Sequence, residues 1–197
     1  MKKLNGEWGI ETQHPDIKGV FSECDQDVWV VETLDEKENG YFLDIGCSVP
    51  WMWNNTALLE ANYGWRGIAI DQSFENNVYV PLSKERGIEH DWKSRPNTIC
   101  VEKSALEIDY EKLLDEHNAP AVIDFLSVDI EPSEKILEVF EMLPHDKYKF
   151  RTVAFEHNDW LEGSEWVEHT RKVIASYGYT YVKTSMQDDY YIMEGID

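Results

Sequence analysis

From about residue 41 onward, apolar β-rich runs alternate with stretches of helical periodicity, and this alternation constrains the fold more than any other feature. It predicts parallel strands joined by crossover helices, that is, a mostly parallel Rossmann-like α/β fold. The runs are almost continuously hydrophobic, as expected of strands buried on both faces of a sheet. The predicted strands are Gly40–Ile45, Gly67–Asp71, Asn97–Glu102, Val122–Ile130 and Thr152–Glu156.

Four helices are predicted between and after these strands. The first begins at the N-cap side chains of Asn54, Asn55 and Thr56 and runs through Ala61, and the second covers Asp109–Glu116. The third begins with Pro132 at a first helical position, and the fourth follows Gly163-Ser164.

The two ends of the chain differ in character. Tyr179–Lys183 and Tyr190–Glu194 predict an antiparallel C-terminal hairpin around polar Gln187, Asp188 and Asp189. Residues 1–40 are less regular and predict a cap of short helices over one edge of the sheet. Because no repeat or linker interrupts the sequence, we expect one domain over residues 1–197, with the cap at 1–40 and the α/β core at 41–197.

The chain is strongly acidic, with 39 Asp and Glu against 18 Lys and Arg and a formal net charge of −21. Such a surface repels phosphate backbones and anionic lipids, so nucleic acid and membranes are poor candidate partners. Three cysteines without a CxxC pair indicate neither a disulfide framework nor a zinc site, and the absence of a leader or long apolar run predicts a cytoplasmic protein.

Polar residues follow the first two predicted strands, at the edge where open parallel sheets bind ligands. Asp44 and Gly46 end the first strand, and a glycine there lets the backbone approach a ligand closely. Asp71 ends the second strand and suits the hydroxyls of a ribose. After Gly46 the chain lacks the GxGxxG pattern that cradles pyrophosphate. The pattern therefore favours a nucleoside ligand without phosphates.

Ionisable groups also follow the fourth and fifth predicted strands. Asp129 and Glu131 are two residues apart, so in an extended chain both carboxylates face one cleft. Glu131 also stands where a helix N-cap would lie. Glu156 and His157 end the fifth strand, and in an extended chain their side chains face opposite ways. We expect these groups to converge at adjacent strand ends and to form the catalytic cluster.

Several segments, in order from about residue 21 to 160, resemble the FkbM-type methyltransferases. The stretch Ile123–Glu131 is similar to the most recognisable motif of that family. The chain departs from the family pattern at Val49-Pro50, Pro132 and Ser104. The matching segments are Phe21–Val31, Asn39–Gly46, Asn55–Glu60, Gly64–Asp71, Ile123–Glu131 and Val153–Asn158.

The resemblance implies a class I methyltransferase fold, S-adenosylmethionine as cofactor, and O-methylation of a hydroxyl on a sugar or small natural product. It implies three contacts with the cofactor. Asp44, Gly46 and Cys47 would line its methionine side, Asp71 its ribose, and Ser104-Ala105 its adenine.

Two alternatives remain open at this point. One is a cofactor-binding module without turnover. The other is a metal-assisted enzyme that uses Asp129, Glu131, Glu156 and His157, although a divalent metal is not favoured because their spacing is nonspecific. For methyl transfer to a hydroxyl, the expected general base is the Asp129 and Glu131 pair, with His157 second.

Overall fold

The computed structural model describes residues 21–157 and 163–196. Its seven strands are β1 Tyr41–Ile45, β2 Arg66–Asp71, β3 Thr98–Glu102, β4 Val122–Val128, β5 Lys149–Glu156, β6 Thr180–Ser185 and β7 Asp188–Ile192. They form one sheet in the order β3-β2-β1-β4-β5-β7-β6. The first five are parallel, and β7 is antiparallel to both β5 and β6. The predicted Rossmann-like fold with a C-terminal antiparallel hairpin is confirmed.

The described residues also form six α-helices. They are α1 Gln26–Thr33, α2 Ala57–Tyr63, α3 Val80–Glu85, α4 Tyr110–Glu116, α5 Ile136–Met142 and α6 Ser164–Ser176, and short 3-10 turns lie at Trp92–Ser94, Ala105–Glu107 and Ser133–Lys135. Within the described ranges, no helix is both long enough and apolar enough to cross a bilayer.

The sheet carries a hydrophobic core on each face, because successive side chains of a strand point to opposite sides. On one face, Phe42 and Phe125 pack with residues of α1 and α2. On the other, Leu43 and Leu126 pack with residues of α4, α5 and α6. The expectation that the N-terminal segment covers a sheet edge is therefore wrong for α1, which lies on a face. Residues 1–20 of that predicted cap lie outside the described residues.

Strand β3 is the exception to burial on both faces. It lies at the edge of the sheet, and its residues are exposed or half-buried, with Ile99 at 36% exposure. Its apolar run is as continuous as those of the central strands, so hydrophobicity alone did not distinguish an edge strand from a central one.

Two predicted boundaries are wrong because local polarity was misleading. The hairpin does not turn at Asp188 and Asp189, because both residues are buried in β7. The Gln26 amide donates a hydrogen bond to Asp188, and Arg171 forms a bidentate ion pair with Asp189 at 2.7 and 2.8 Å. Pro132 does not begin a regular α-helix but precedes a 3-10 turn. Pro132, and not Glu131, therefore occupies the cap position.

A buried arginine links the start of β3 to the segment after β1. Arg95 is 1% exposed, and its Nε donates to Glu60 Oε2 at 2.8 Å. Its Nη1 and Nη2 donate to Asn54 Oδ1 and Thr56 Oγ1 at 2.7 and 3.1 Å. A fully desolvated ion pair of this kind depends on both partners, because either charge left alone is strongly disfavoured.

We predict that Arg95→Met lowers the free energy of unfolding by about 3–5 kcal/mol, because Glu60 is left as an uncompensated buried charge. Urea denaturation measures this loss. The double variant with Glu60→Gln should recover part of the loss. A loss below about 1 kcal/mol, the scale of an exposed ion pair, would contradict this role for Arg95.

Candidate functional site

A cavity of about 580 Å³ opens at the carboxyl ends of the central strands. It lies beside β1 and β4, where the order of strands in the sheet reverses, which is the place at which open α/β sheets bind ligands. Of the ten residues predicted for the site, nine line this cavity, and His157 does not. The nine are Asp44, Gly46, Cys47, Asp71, Ser104, Ala105, Asp129, Glu131 and Glu156.

Asp44 is a buried acid that lines the cavity from β1. Its Oδ2 accepts a hydrogen bond from Thr56 Oγ1 at 2.9 Å. Burial raises the pKa of Asp44 to about 6, against the opposing effects of the Thr56 hydrogen bond and the Arg95 charge. Arg95 thus contributes to the ionised state of a cavity residue, although the sequence analysis did not single it out.

Gly46 is required by a close approach of two loops. Its φ of +87° is disfavoured for other residues, and its N–H donates to the Ile70 carbonyl at 2.8 Å. A Cβ at this position would lie 1.7 Å from the Asp129 carbonyl oxygen. The nearest neighbour of such a Cβ is backbone from the loop after β4, so the glycine is required by the packing of the two loops, and its role in the approach of a ligand stays a prediction.

Cys47 follows as a buried lining residue. Burial raises the pKa of its thiol well above the ordinary value, and the charges of Asp44 and Asp71 act in the same direction. The thiol is therefore neutral at physiological pH and contributes shape rather than charge to the cavity.

Asp71 offers a carboxylate at the end of β2. Its Oδ2 accepts from the Ser48 N–H at 3.0 Å and its Oδ1 from the Ser73 N–H at 3.1 Å. Burial raises the pKa of Asp71, and these backbone hydrogen bonds oppose the rise. Each carboxylate oxygen has a further lone pair that can accept a hydrogen bond from a ligand.

Ser104 and Ala105 line the cavity directly after β3. Ser104 precedes the 3-10 turn of Ala105–Glu107, and the neighbouring Lys103 N–H donates to the Asp71 carbonyl at 2.8 Å. This backbone bond keeps the ends of β2 and β3 together, so Asp71 and Ser104 border the same space.

Asp129 and Glu156 form a pair of interacting carboxyl groups at the ends of β4 and β5. Burial raises the pKa of Glu156, and the neighbouring Asp129 raises it further. Burial also raises the pKa of Asp129, while its hydrogen bond with Glu156 lowers it. Two adjacent carboxyl groups do not both ionise easily, so the raised pKa values favour one proton shared by the pair, and the larger rise is that of Glu156.

The other two predicted catalytic residues occupy different environments. Glu131 is exposed and lines the cavity beside Asp129. His157 is buried, and its backbone N–H donates to the Gln187 carbonyl at 2.7 Å. Its ring Nε2 lies 3.6 Å from Asp189 Oδ1. The structure therefore groups Asp129, Glu131 and Glu156 and leaves His157 outside the cavity.

The similarities to known proteins extend over most of the chain. A family model described as "Methyltransferase FkbM domain" matches residues 48–181. The chain belongs to the FkbM methyltransferase family. It is an S-adenosylmethionine-dependent methyltransferase.

Solved structures similar to this FkbM methyltransferase include three at low sequence identity. Precorrin-6y C5,15-methyltransferase from Geobacter metallireducens GS-15 is 14% identical, with a TM-score of 0.44, over 84% of this chain and 85% of its own. Fibrillarin from Aeropyrum pernix, solved with natively bound S-adenosyl-L-methionine, is 14% identical, with a TM-score of 0.46, over 79% of this chain and 67% of its own. A protein from Bordetella parapertussis described as a "possible exported protein" is 13% identical, with a TM-score of 0.49, over 87% of this chain and 68% of its own. No curated protein sequence matches the chain.

Several residues that line the methyltransferase cavity escaped the sequence analysis. Glu23 precedes α1, Trp53 follows β1, and Tyr79 precedes α3, each in an irregular segment without a strand or helix pattern. Gln187 lies in the turn between β6 and β7. The predicted hairpin could have indicated Gln187, because the turn of that hairpin lies next to the carboxyl end of β5.

The structure does not favour the metal-assisted alternative. Among the residues that it describes, no group of three or more His, Cys, Asp or Glu side chains could hold a metal ion. His157, the expected nitrogen ligand, is outside the cavity, and the remaining candidates are carboxyl groups.

We predict that Gly46→Ala lowers the melting temperature by several degrees, because its Cβ would overlap the Asp129 carbonyl and force the loops after β1 and β4 apart. Thermal unfolding followed by circular dichroism measures the effect. Gly163→Ala is a matched control, since it also has positive φ but open space around its Cβ. Equal losses in the two variants would contradict a role for the Asp129 contact.

Proposed function

We propose that this methyltransferase transfers the methyl group to a hydroxyl oxygen of a small molecule or glycan, with Asp129 as the general base. The observation that carries the proposal is that the carboxyl groups of Asp129 and Glu156 line the same cavity and that burial raises the pKa of both. A hydroxyl is a weak nucleophile until its proton is removed, and a carboxylate within hydrogen-bond reach can accept that proton.

The chemistry of the lining residues fits S-adenosylmethionine. The Asp71 carboxylate has lone pairs available for the ribose hydroxyls, and Ser104-Ala105 borders the same end of the cavity for the adenine. Asp44 places a second acid near the methionine side, where the ligand is cationic. When bound, the cofactor supplies a methyl group on a sulfonium sulfur, which keeps the electron pair of the broken S–C bond and becomes a neutral thioether.

The proton follows a short route in this arrangement. Asp129 is the ionised member of the pair, and Glu156 holds the shared proton. As the hydroxyl oxygen forms its bond to the methyl carbon, its proton passes to an Asp129 carboxylate oxygen. Glu156 keeps Asp129 ionised by donating a hydrogen bond to it, which is why the two acids act as one unit.

Glu131 is the second candidate for the base because it lines the same part of the cavity. Glu131 is exposed, however, whereas burial raises the pKa of Asp129 to about 6. A base is most effective when its pKa lies near the working pH, which favours Asp129. His157 has no access to the cavity in this arrangement.

We also propose that residues 1–197 act as one methyltransferase domain in the cytoplasm. All three cysteines, Cys24, Cys47 and Cys100, are free, which suits a reducing compartment. All seven strands of the described chain belong to one sheet.

We predict that Asp71→Ala weakens the binding of S-adenosylhomocysteine by about 1–3 kcal/mol, because the ribose hydroxyls lose a charged acceptor. Isothermal titration calorimetry measures the loss. Glu102→Gln at the end of the edge strand is a control for a general change of charge. Unchanged affinity in Asp71→Ala would overturn the assignment of Asp71 to the ribose.

We predict that Asp129→Asn lowers kcat by about 10²–10⁴-fold while the affinity for S-adenosylhomocysteine changes by only a few-fold, as expected for loss of a general base. The assay measures methyl transfer from labelled cofactor to a panel of sugars and hydroxylated small molecules. Glu131→Gln is the matched variant and should retain most of the activity. Full activity of Asp129→Asn would overturn the proposal, and wild-type protein that binds cofactor without any transfer would favour a silent module.

A further inference from the structure

Trp53 has a strained backbone conformation in the lining of the cavity. Its φ is +54°, in the left-handed region that bulky side chains rarely adopt. The side chain is half-buried and lines the cavity. Strain of this kind persists only where the surrounding structure enforces it, and it is concentrated at sites that bind or convert ligands. The conformation of Trp53 therefore points to a role in the site.

Both neighbours of Trp53 in the chain are anchored in the fold. Met52 is fully buried. The Asn54 amide donates to the Cys47 carbonyl at 2.8 Å, and Asn54 Oδ1 accepts from Arg95 at 2.7 Å. Because these contacts fix the chain on either side, the left-handed turn keeps the ring of Trp53 at the border of the core, where it lines the cavity.

Trp53 and Tyr79 form an aromatic side of the cavity, which we call the aromatic wall. Their ring centroids are 5.3 Å apart, with an angle of 86° between the ring planes. The Arg86 guanidinium lies 5.3 Å from the centroid of the Trp53 ring and is outside the cavity lining, so it supports the indole from outside the cavity. The aromatic wall is therefore in place before a ligand binds.

The aromatic wall lies on the same side of the cavity as the proposed base. Burial raises the pKa of the Tyr79 hydroxyl, and the charges of Glu23 and Asp129 raise it further, so this hydroxyl lies within electrostatic range of both carboxyl groups. A perpendicular pair of rings offers a ligand ring one face to stack on and one edge to contact, and aromatic rings favour both geometries. An aromatic ligand can therefore pack against the wall and present a substituent to Asp129.

The acidity of the acceptor hydroxyl is a second criterion. Burial raises the pKa of Asp129 to about 6. The pKa of a phenolic hydroxyl is about 10, whereas that of an alkyl hydroxyl is close to the value for water, about 16. Proton transfer to the Asp129 carboxylate is therefore uphill by about four pKa units from a phenol and by about ten from an alkyl alcohol. A base of this strength suits a phenol better.

We infer that the methyl acceptor is a phenol, whose aromatic ring packs against Trp53 and Tyr79 while its hydroxyl points to Asp129. This inference rests on the proposed transfer to a hydroxyl oxygen. In that step the phenolic oxygen bonds to the methyl carbon and gives its proton to Asp129, and the electron pair of the broken S–C bond stays on sulfur. Trp53 is then a specificity-determining residue, which accounts for the strain in its backbone.

The test compares 4-methylphenol with 4-methylcyclohexanol, two compounds of similar size that differ in having an aromatic or a saturated ring. Glucose represents a sugar acceptor. Each compound is titrated calorimetrically into the protein saturated with S-adenosylhomocysteine. We expect 4-methylphenol to bind about three- to tenfold more tightly than either of the others, the scale of an aromatic pair. Equal affinities, tighter binding of 4-methylcyclohexanol or glucose, or no binding of 4-methylphenol would overturn the inference.

Variants locate the origin of the preference. Trp53→Asn removes the indole and introduces a residue that tolerates the left-handed conformation, so the preference for 4-methylphenol should fall by about threefold or more. Tyr79→Leu removes the other ring from a backbone of ordinary conformation and should have the same effect. Binding of S-adenosylhomocysteine confirms that each variant is folded.

Met186→Asn is the matched control for the backbone change. Met186 has a φ of +52° but is exposed and lies outside the cavity lining, so the preference should stay unchanged. A preference that falls equally in all three variants would overturn the inference. So would a lower melting temperature of Trp53→Asn with an unchanged preference, because Trp53 would then serve the fold alone.

This experiment separates the inference from the proposed function, because the ring preference is measured by binding without turnover. A preference for 4-methylphenol in a protein that methylates no hydroxyl compound would support the selectivity of the aromatic wall and contradict the proposed reaction. Methylation of sugars, without any preference for 4-methylphenol over 4-methylcyclohexanol, would support the reaction and contradict the inference.

Discussion

The site depends on a backbone contact between the loops that follow β1 and β4. The Asp129 N–H donates to the Ile45 carbonyl at 2.9 Å, and the Asp129 carbonyl lies where a Cβ of residue 46 would be. Only glycine permits this approach with a φ of +87°. The contact closes the point where the strand order reverses and holds Asp129 at the end of β5, next to Glu156.

Once Asp129 and Glu156 are adjacent, burial and mutual repulsion determine their protonation. Among the described residues, no arginine forms an ion pair with either acid, in contrast to Glu60 with Arg95 and Asp189 with Arg171. Glu60 and Asp189 contribute ion pairs to the fold, whereas burial raises the pKa values of Asp129 and Glu156. The difference separates structural carboxylates from those available for chemistry.

The sequence predicted the features that depend on local patterns. Buried strands produce continuous apolar runs, and the polar residue that ends each run, such as Asp71, lies at the ligand-binding edge because parallel strands end together. Features set by long-range packing were not predictable in this way. Arg95 lies in a polar segment with no sign of burial, and Asp189 looks like a turn residue until Arg171 is seen to pair with it. Glu23 reaches the cavity only through the packing of α1 on the sheet.

The proposed base works only if the two carboxyl groups share one proton and Glu156 carries it. Infrared difference spectroscopy between the wild-type protein and Glu156→Gln tests it directly, at neutral to mildly alkaline pH. We expect a carboxylic acid C=O band that is present in the wild-type protein and lost in the variant. A difference spectrum that contains only carboxylate bands would show that Glu156 is ionised and would contradict this assignment of the proton.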